Sequence, residues 1–192
     1  MKTFTKITAG YTYDELNESA KEKVKQWFLY DPTRNDIFYE NIMTYLSENF
    51  KNSDLKVSYS LGFCQGDGLN ISGKLELYDF LYIWEASEKE RRAIKFYIDN
   101  SLPEYVFETN NFNYCYSCKF IDRKYIDDTI AEFIEELQYN KLSNIKKKLI
   151  YKFFNDMINY FENLDSKFEQ EGYKYLYECD DEELRECCDS NG

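Results

Sequence analysis

Three groups of side chains in this 192-residue chain have residue types and spacings that could do chemistry. Cys115 and Cys118 form a Cys-x-x-Cys pair, the spacing of a zinc knuckle or a redox dithiol. Cys64 and Asp67 lie in one glycine-rich turn, where a thiol and a carboxylate could serve a small enzyme. The third group consists of carboxylates, which can bind a divalent cation or act as general acid and base: Asp180, Asp181, Glu182, Glu183 and Glu186.

The chain contains no histidine, and this absence limits the chemistry of all three groups. Serine–histidine and cysteine–histidine nucleophilic systems, histidine-bearing zinc sites and imidazole proton shuttles are excluded. A Cys64 nucleophile would need activation by lysine or arginine, and neither is adjacent in the sequence. We therefore expect no catalytic residue, no metal site and no cofactor.

The Cys115–Cys118 pair lies in residues 112–120, whose apolar side chains alternate and so predict a half-buried strand. Residues three apart on a strand point to opposite faces, which does not suit two ligands of one metal. The other close pair, Cys187 and Cys188, is adjacent in sequence and is equally unsuited to tetrahedral coordination. Structural, reduced thiols are the favoured interpretation of these cysteines.

The charge of the chain is acidic and unevenly distributed. The formal net charge is −12, from 24 basic and 36 acidic residues. Residues 151–192 hold twelve acidic and four basic side chains, a net −8, which leaves −4 for the first 150 residues. Such a field repels nucleic acid and membrane surfaces and attracts basic proteins. No start-of-chain signal sequence or apolar run of about 20 residues is present, so we expect a cytoplasmic protein.

Residues 55–77 have the pattern of a β-hairpin. Apolar residues alternate from Leu55 to Phe63 and again from Leu69 to Leu77, and Gly73 occupies one position of the buried face. Between the two strands, Gly66 and Gly68 supply positions for positive φ, and the Asp67 carboxylate can bond the main chain of the turn. We therefore interpret Gly66, Asp67 and Gly68 as a structural turn.

Helical periodicity dominates the rest of the chain. A helix is predicted over residues 14–29, capped by Asp14 or Asn17, and further helices over residues 37–50 and 87–98, the last opened by a Ser87–Glu90 capping box. Two more are predicted over residues 125–137 and 149–168, before a short final helix with Asp180 and Glu183 at capping-box spacing. Negative charge at the start of a helix is also favoured by the helix dipole, so these carboxylates have a structural interpretation as well.

Together these elements predict one α+β domain over residues 1–192: a small antiparallel sheet of three to four strands covered by several helices. Long helices form its C-terminal part, which is acidic from about residue 124. The dense aromatic patch Tyr173, Tyr175 and Tyr177 precedes the acidic group. Aromatic and charged side chains together are typical of a protein-binding surface.

Several stretches resemble a widespread family of small phage and prophage proteins, some of which carry an antitoxin label. The resemblance rests on residues 15–23 with Trp27 and Phe28, on residues 60–68, and on residues 164–192. This chain has Cys64 where relatives often have a large aromatic residue, and its strand at 112–120 lacks the histidines that relatives often carry. The resemblance implies a phage-encoded accessory protein and no catalytic residues.

The sequence therefore favours a non-enzymatic, phage-encoded inhibitor of a host defence system, and within that class an anti-CRISPR protein. Its expected partner is a basic host protein, a nucleic-acid-binding nuclease complex, whose groove it would occupy without binding nucleic acid or membrane itself. The predicted partner-binding residues are Asp180, Asp181, Glu182, Glu183, Glu186, Tyr173, Tyr175 and Tyr177. Two alternatives remain: an antitoxin-like module that neutralises a basic toxin, and a small enzyme that uses Cys64 and Asp67.

Overall fold

The structure is a computed structural model, and it describes residues 10–63, 67–100, 105–106 and 144–191. The chain divides into two compact units, Met1–Phe38 with Gly172–Gly192, and Tyr39–Glu171. The predicted strand at residues 112–120 and helix at residues 125–137 lie outside the described residues, as do Gly66, Cys64, Cys115 and Cys118. The single domain expected over residues 1–192 stays a prediction.

The larger unit contains the predicted hairpin. Strand β1 (Asp54–Ser60) pairs antiparallel with β2 (Gly68–Glu76), and Val57 lies opposite Ile71. β1 ends before the predicted Phe63, because the chain leaves the sheet after Ser60, and β2 ends at Glu76 rather than Leu77, because a helix begins at Leu77. The two-residue strand β3 (Tyr105–Val106) pairs with the end of β2. The fold is α+β as predicted, but only β1 and β2 form a full antiparallel pair among the described residues, since β3 adds two residues, so the described sheet is smaller than the three to four strands expected.

Positive φ values in the hairpin occur at positions that the sequence did not indicate. Among the described residues they lie at Phe63 (56°) and Gly73 (114°), and not at Gly68, which is the first residue of β2. The Asp67 carboxylate accepts hydrogen bonds from the Gly62 N–H at 2.7 Å and from the Ser60 hydroxyl at 3.1 Å. The prediction that Asp67 bonds the main chain of the turn is therefore confirmed.

We expect Phe63→Gly to be more stable than Phe63→Ala by about 1 kcal/mol, because the left-handed region is disfavoured for every side chain with a Cβ. Both variants lose the phenyl ring, so their difference isolates the backbone conformation. Urea unfolding of the two variants measures it. An alanine variant as stable as the glycine variant would show that Phe63 does not hold φ near +56° in solution.

Two short helices follow the hairpin. Helix α3 (Leu77–Ile83) contributes the buried Asp79, whose carboxylate accepts from the Asn52 N–H and side-chain amide and from the Ser53 hydroxyl, at 2.7–2.8 Å. Three donors satisfy a carboxylate that would otherwise be costly to bury, so Asp79 fixes the entry into β1. Helix α4 (Glu88–Asn100) begins with the predicted capping box, since Ser87 and Glu90 bond each other reciprocally.

One long helix, α5 (Asn144–Tyr177), supplies much of the buried surface of the larger unit. Its apolar residues recur at helical spacing, and Phe153 and Phe161 are completely buried. Phe161 packs against Phe50 of the segment that ends helix α2 (Thr33–Asn49), with ring centroids 5.2 Å apart, and Phe153 packs against Phe80 at 5.4 Å. The core is therefore aromatic, as the composition suggests.

The smaller unit is helical in its described residues. A short 3₁₀ helix (Tyr13–Glu15) precedes helix α1 (Glu18–Leu29), and the Asn17 side chain caps α1 by accepting from the Ala20 N–H at 2.9 Å. The predicted single helix over residues 14–29 is thus two elements, and Asn17 rather than Asp14 caps the second. The first residues of α2, the end of α5 and helix α6 (Asp181–Asn191) complete the unit.

Candidate protein-binding surface

The predicted acidic group starts helix α6, and two of its members form the capping box. The Asp180 carboxylate accepts from the N–H groups of Glu182 and Glu183, both at 2.9 Å. The Glu183 carboxylate accepts in return from the Asp180 N–H at 3.0 Å. These bonds satisfy donors that the first turn of a helix leaves unpaired. Asp180 and Glu183 therefore have a structural role, which the spacing in the sequence indicates.

Asp181 of α6 contacts the N-terminal part of the same unit. Its carboxylate accepts a hydrogen bond from the hydroxyl of Tyr13 at 3.1 Å, and Tyr13 is almost completely buried. Burial and this carboxylate raise the pKa of the Tyr13 phenol, which stays neutral and keeps donating. Arg185 forms an ion pair with Asp14 at 3.0 Å on the same side of α6. Asp181 is thus already engaged within the unit.

The aromatic patch is divided between the interior and the surface. The Tyr175 ring packs on the guanidinium of Arg34, 4.6 Å from its carbon, and the Phe28 ring covers that carbon from 4.2 Å. Arg34 is buried, and it donates to the carbonyl oxygens of Tyr175 and Glu178 at the end of α5. A cation at the C-terminal end of a helix is favoured by the helix dipole. Tyr175 therefore has a packing role.

Part of the predicted surface faces the solvent. Glu182 and Glu186 lie one helical turn apart and are exposed, and neither carboxylate has a hydrogen bond or ion pair within the part of the chain that the structure describes. Tyr177 is 42% exposed, and its ring lies 6.2 Å from that of Tyr173. Of the eight predicted residues, Glu182, Glu186 and Tyr177 are best placed to contact a partner.

Two exposed aromatic residues of the same unit, Trp27 (59% exposed) and Tyr30 (84% exposed), were not among the predicted binding residues. A signal for Trp27 was present. Ala20, Val24 and Phe28 recur every four positions on the less exposed face of α1, and Trp27 lies off that face. Exposed tryptophan and tyrosine are typical of residues that dominate binding energy at protein interfaces.

The other candidate groups lie partly outside the described residues, which include Asp67 and three cysteines. Asp67 is occupied by the two donors of the turn, which does not suit a general base. Burial raises the pKa of the Cys179 thiol, which disfavours the reactive thiolate. Within residues 10–63, 67–100, 105–106 and 144–191, no cluster of three cysteine, aspartate or glutamate side chains could hold a metal ion.

One buried carboxylate stands apart from these groups. Asp165 of α5 is only 8% exposed and accepts a hydrogen bond from the Ile71 N–H of β2 at 3.0 Å. Burial raises its pKa to about 7, the Ile71 donor partly opposes this, and the carboxylates of Glu162 and Glu169 add to it. A perturbed pKa occurs at active sites and also in structural cores. The contact with a strand of the core gives Asp165 a structural role.

Comparison with protein-family models, with curated proteins and with solved structures finds no match for this chain. None of the helices that the structure describes is long and apolar enough to cross a membrane.

Proposed function

We propose that this protein is a phage-encoded, non-enzymatic inhibitor of a host defence nuclease, most specifically an anti-CRISPR protein acting in the host cytoplasm. Its acidic surface would occupy the basic groove in which the nuclease holds nucleic acid. Charge complementarity of this kind steers association and excludes the substrate. Cas9-type effectors hold their heteroduplex in a positively charged channel, which is a fitting target.

The observation that carries the proposal is the exposed acidic face of α6. Four of the predicted side chains, Asp180, Asp181, Glu183 and Tyr175, hold the helix start and the end of α5 in place. Glu182 and Glu186 are thereby presented to solvent on a fixed helix. Carboxylates on a pre-positioned helix bind a basic surface at a smaller entropic cost than carboxylates on a disordered tail.

The double charge reversal Glu182→Lys with Glu186→Lys tests this proposal. We expect it to weaken binding to a purified Cas9-type nuclease by at least about tenfold at low salt, because it turns two attractions into repulsions. Wild-type binding should also weaken between about 50 and about 300 mM salt, since surface charges act through screened, long-range attraction. The fold should persist, because exposed charges contribute little to stability.

The chain offers a matched control. Glu40 and Glu48 are exposed on α2, and Glu40→Lys with Glu48→Lys changes the net charge by the same amount. If both double variants weaken binding equally, net charge rather than the α6 surface is responsible, and the proposed surface is wrong. Binding to a small basic toxin, with none to the nuclease, would favour the antitoxin alternative. Loss of activity in Cys64→Ser with unchanged partner binding would favour the enzyme.

A further inference from the structure

Two adjoining grooves lie in the smaller unit beside the exposed aromatic residues of α1. The first has a volume of about 430 Å³ and is lined by Lys23, Gln26, Trp27, Tyr30, Asp31 and Pro32. The second, of about 460 Å³, shares Gln26, Tyr30 and Asp31 with the first and reaches Tyr177. Tyr30 and Asp31 therefore stand where the grooves meet. We call the two together the aromatic groove.

The walls of the aromatic groove combine π-faces with a fixed negative charge. The rings of Trp27 and Tyr30 are largely exposed, as described above. The Asp31 carboxylate accepts from the Thr33 N–H at 2.9 Å and from the Thr33 hydroxyl at 2.8 Å. These bonds hold the pKa of Asp31 below its usual value, so its charge is present at neutral pH. Exposed aromatic rings beside a carboxylate are suited to binding a cation, because both attract positive charge.

The surrounding unit favours a cationic ligand as well. Its described residues, 10–38 and 172–191, hold 13 acidic and 6 basic side chains, a net charge of −7. The unit already holds one guanidinium between two rings, that of Arg34 between Phe28 and Tyr175. Arginine stacks on aromatic faces more readily than lysine, because its guanidinium is planar and weakly hydrated.

We infer that the aromatic groove receives an arginine side chain of the basic partner, between Trp27 and Tyr30 and beside Asp31. This inference rests on the proposed function, since it adds an aromatic anchor to the acidic contact made by α6. Lys23 and Lys25, one in each groove, oppose a cation and would attract an anion instead. The sign of the preferred ligand is therefore the decisive measurement.

The two tryptophans of the chain make this measurement specific. Trp84 is 2% exposed, and its ring nitrogen donates to Asp156 at 2.9 Å, so a change in tryptophan fluorescence on adding a peptide reports on Trp27. The probes are oligo-arginine, oligo-lysine and oligo-glutamate peptides of equal length. We expect saturable fluorescence change with oligo-arginine, weaker binding of oligo-lysine and none of oligo-glutamate.

Tyr30→Ala should weaken oligo-arginine binding about two- to fivefold, as expected for an exposed cation–π contact. Tyr82→Ala is the matched control, because Tyr82 is 74% exposed on α3 and lines neither groove. A non-saturable response to oligo-arginine, tighter binding of oligo-glutamate, or equal effects of the two tyrosine variants would each overturn the inference.

The α6 charge reversal separates this inference from the proposed function. If the wild-type protein does not bind the nuclease while oligo-arginine still gives a saturable change in Trp27 fluorescence, the proposed function fails and the aromatic groove stands. If oligo-arginine fails to bind the wild-type protein while Glu182→Lys with Glu186→Lys still weakens nuclease binding, the inference fails and the proposed function stands.

Discussion

Gly73→Ala is expected to destabilise the protein by at least about 2 kcal/mol, because alanine would add a Cβ at a position where only glycine fits. Gly73 has a φ of 114°, a region that side chains with a Cβ rarely adopt. A Cβ added there would lie 2.1 Å from the Asp54 carbonyl oxygen and 3.2 Å from the Leu55 Cα. Both are backbone atoms, so the clash is relieved only if β1 and β2 separate at Leu55–Gly73.

Gly62→Ala provides the control. Gly62 is exposed and is not among the positive-φ residues of the hairpin, so alanine there should change stability by less than about 1 kcal/mol. Urea unfolding at constant pH measures both variants. If the two alanine variants were equally stable, the close approach of the two strands at Gly73 would be absent in solution.

Asp165→Asn is expected to stabilise the protein at pH values above about 7 and to have little effect near pH 4. Burial in the folded state raises the pKa of Asp165 from 3.8 to about 7, which corresponds to about 4 kcal/mol. Below both pKa values the carboxyl is protonated in both states. As pH rises, the unfolded chain releases the proton first, so wild-type stability falls until the folded pKa is passed.

Asparagine removes this pH dependence and still accepts from the Ile71 N–H through its side-chain oxygen. The gain at pH 8 is expected to reach up to about 4 kcal/mol, measured as the difference between the urea-unfolding curves of variant and wild type. Glu169→Gln removes one of the two carboxylates that raise the pKa, so it should give a smaller gain of the same sign. A gain that is constant from pH 4 to pH 8 would contradict the assignment.

Local signals in the sequence predicted the helix starts well. The Ser87–Glu90 and Asp180–Glu183 spacings and the Asn17 cap each involve residues within three positions, so no tertiary information is needed to recognise them. Alternation likewise predicted both long strands, with errors confined to their ends. Their exact ends depend on turn geometry, which alternation does not encode.

Features that depend on distant partners were not predictable. Arg34 contacts Tyr175 across 141 positions of sequence, so its burial has no local signature. In the sequence, Gly73 occupies one position of an alternating strand, and nothing in that pattern indicates the close approach of Asp54 that sets its conformation. Asp165 did leave a signal, because it lies four residues after Phe161 and three before Phe168 on the packed stripe of α5.

The predicted binding surface on α6 stays a prediction, and the structure changes which residues are available to test it. Truncation of the C-terminal segment would also remove Tyr175 and Leu176, which pack within the smaller unit. Loss of function in a truncated chain would therefore report unfolding as much as lost contacts. Point charge reversals at exposed positions avoid this ambiguity.

The central claim is that the protein occupies the nucleic-acid groove of a nuclease. The most direct test is a cleavage assay with a Cas9-type nuclease, in which inhibition is measured while the target DNA concentration is raised. We predict competitive inhibition: excess DNA added before the protein protects the nuclease, and nuclease bound to the protein no longer binds DNA. Inhibition that excess DNA does not reverse, with DNA and protein bound to the nuclease together, would contradict the claim.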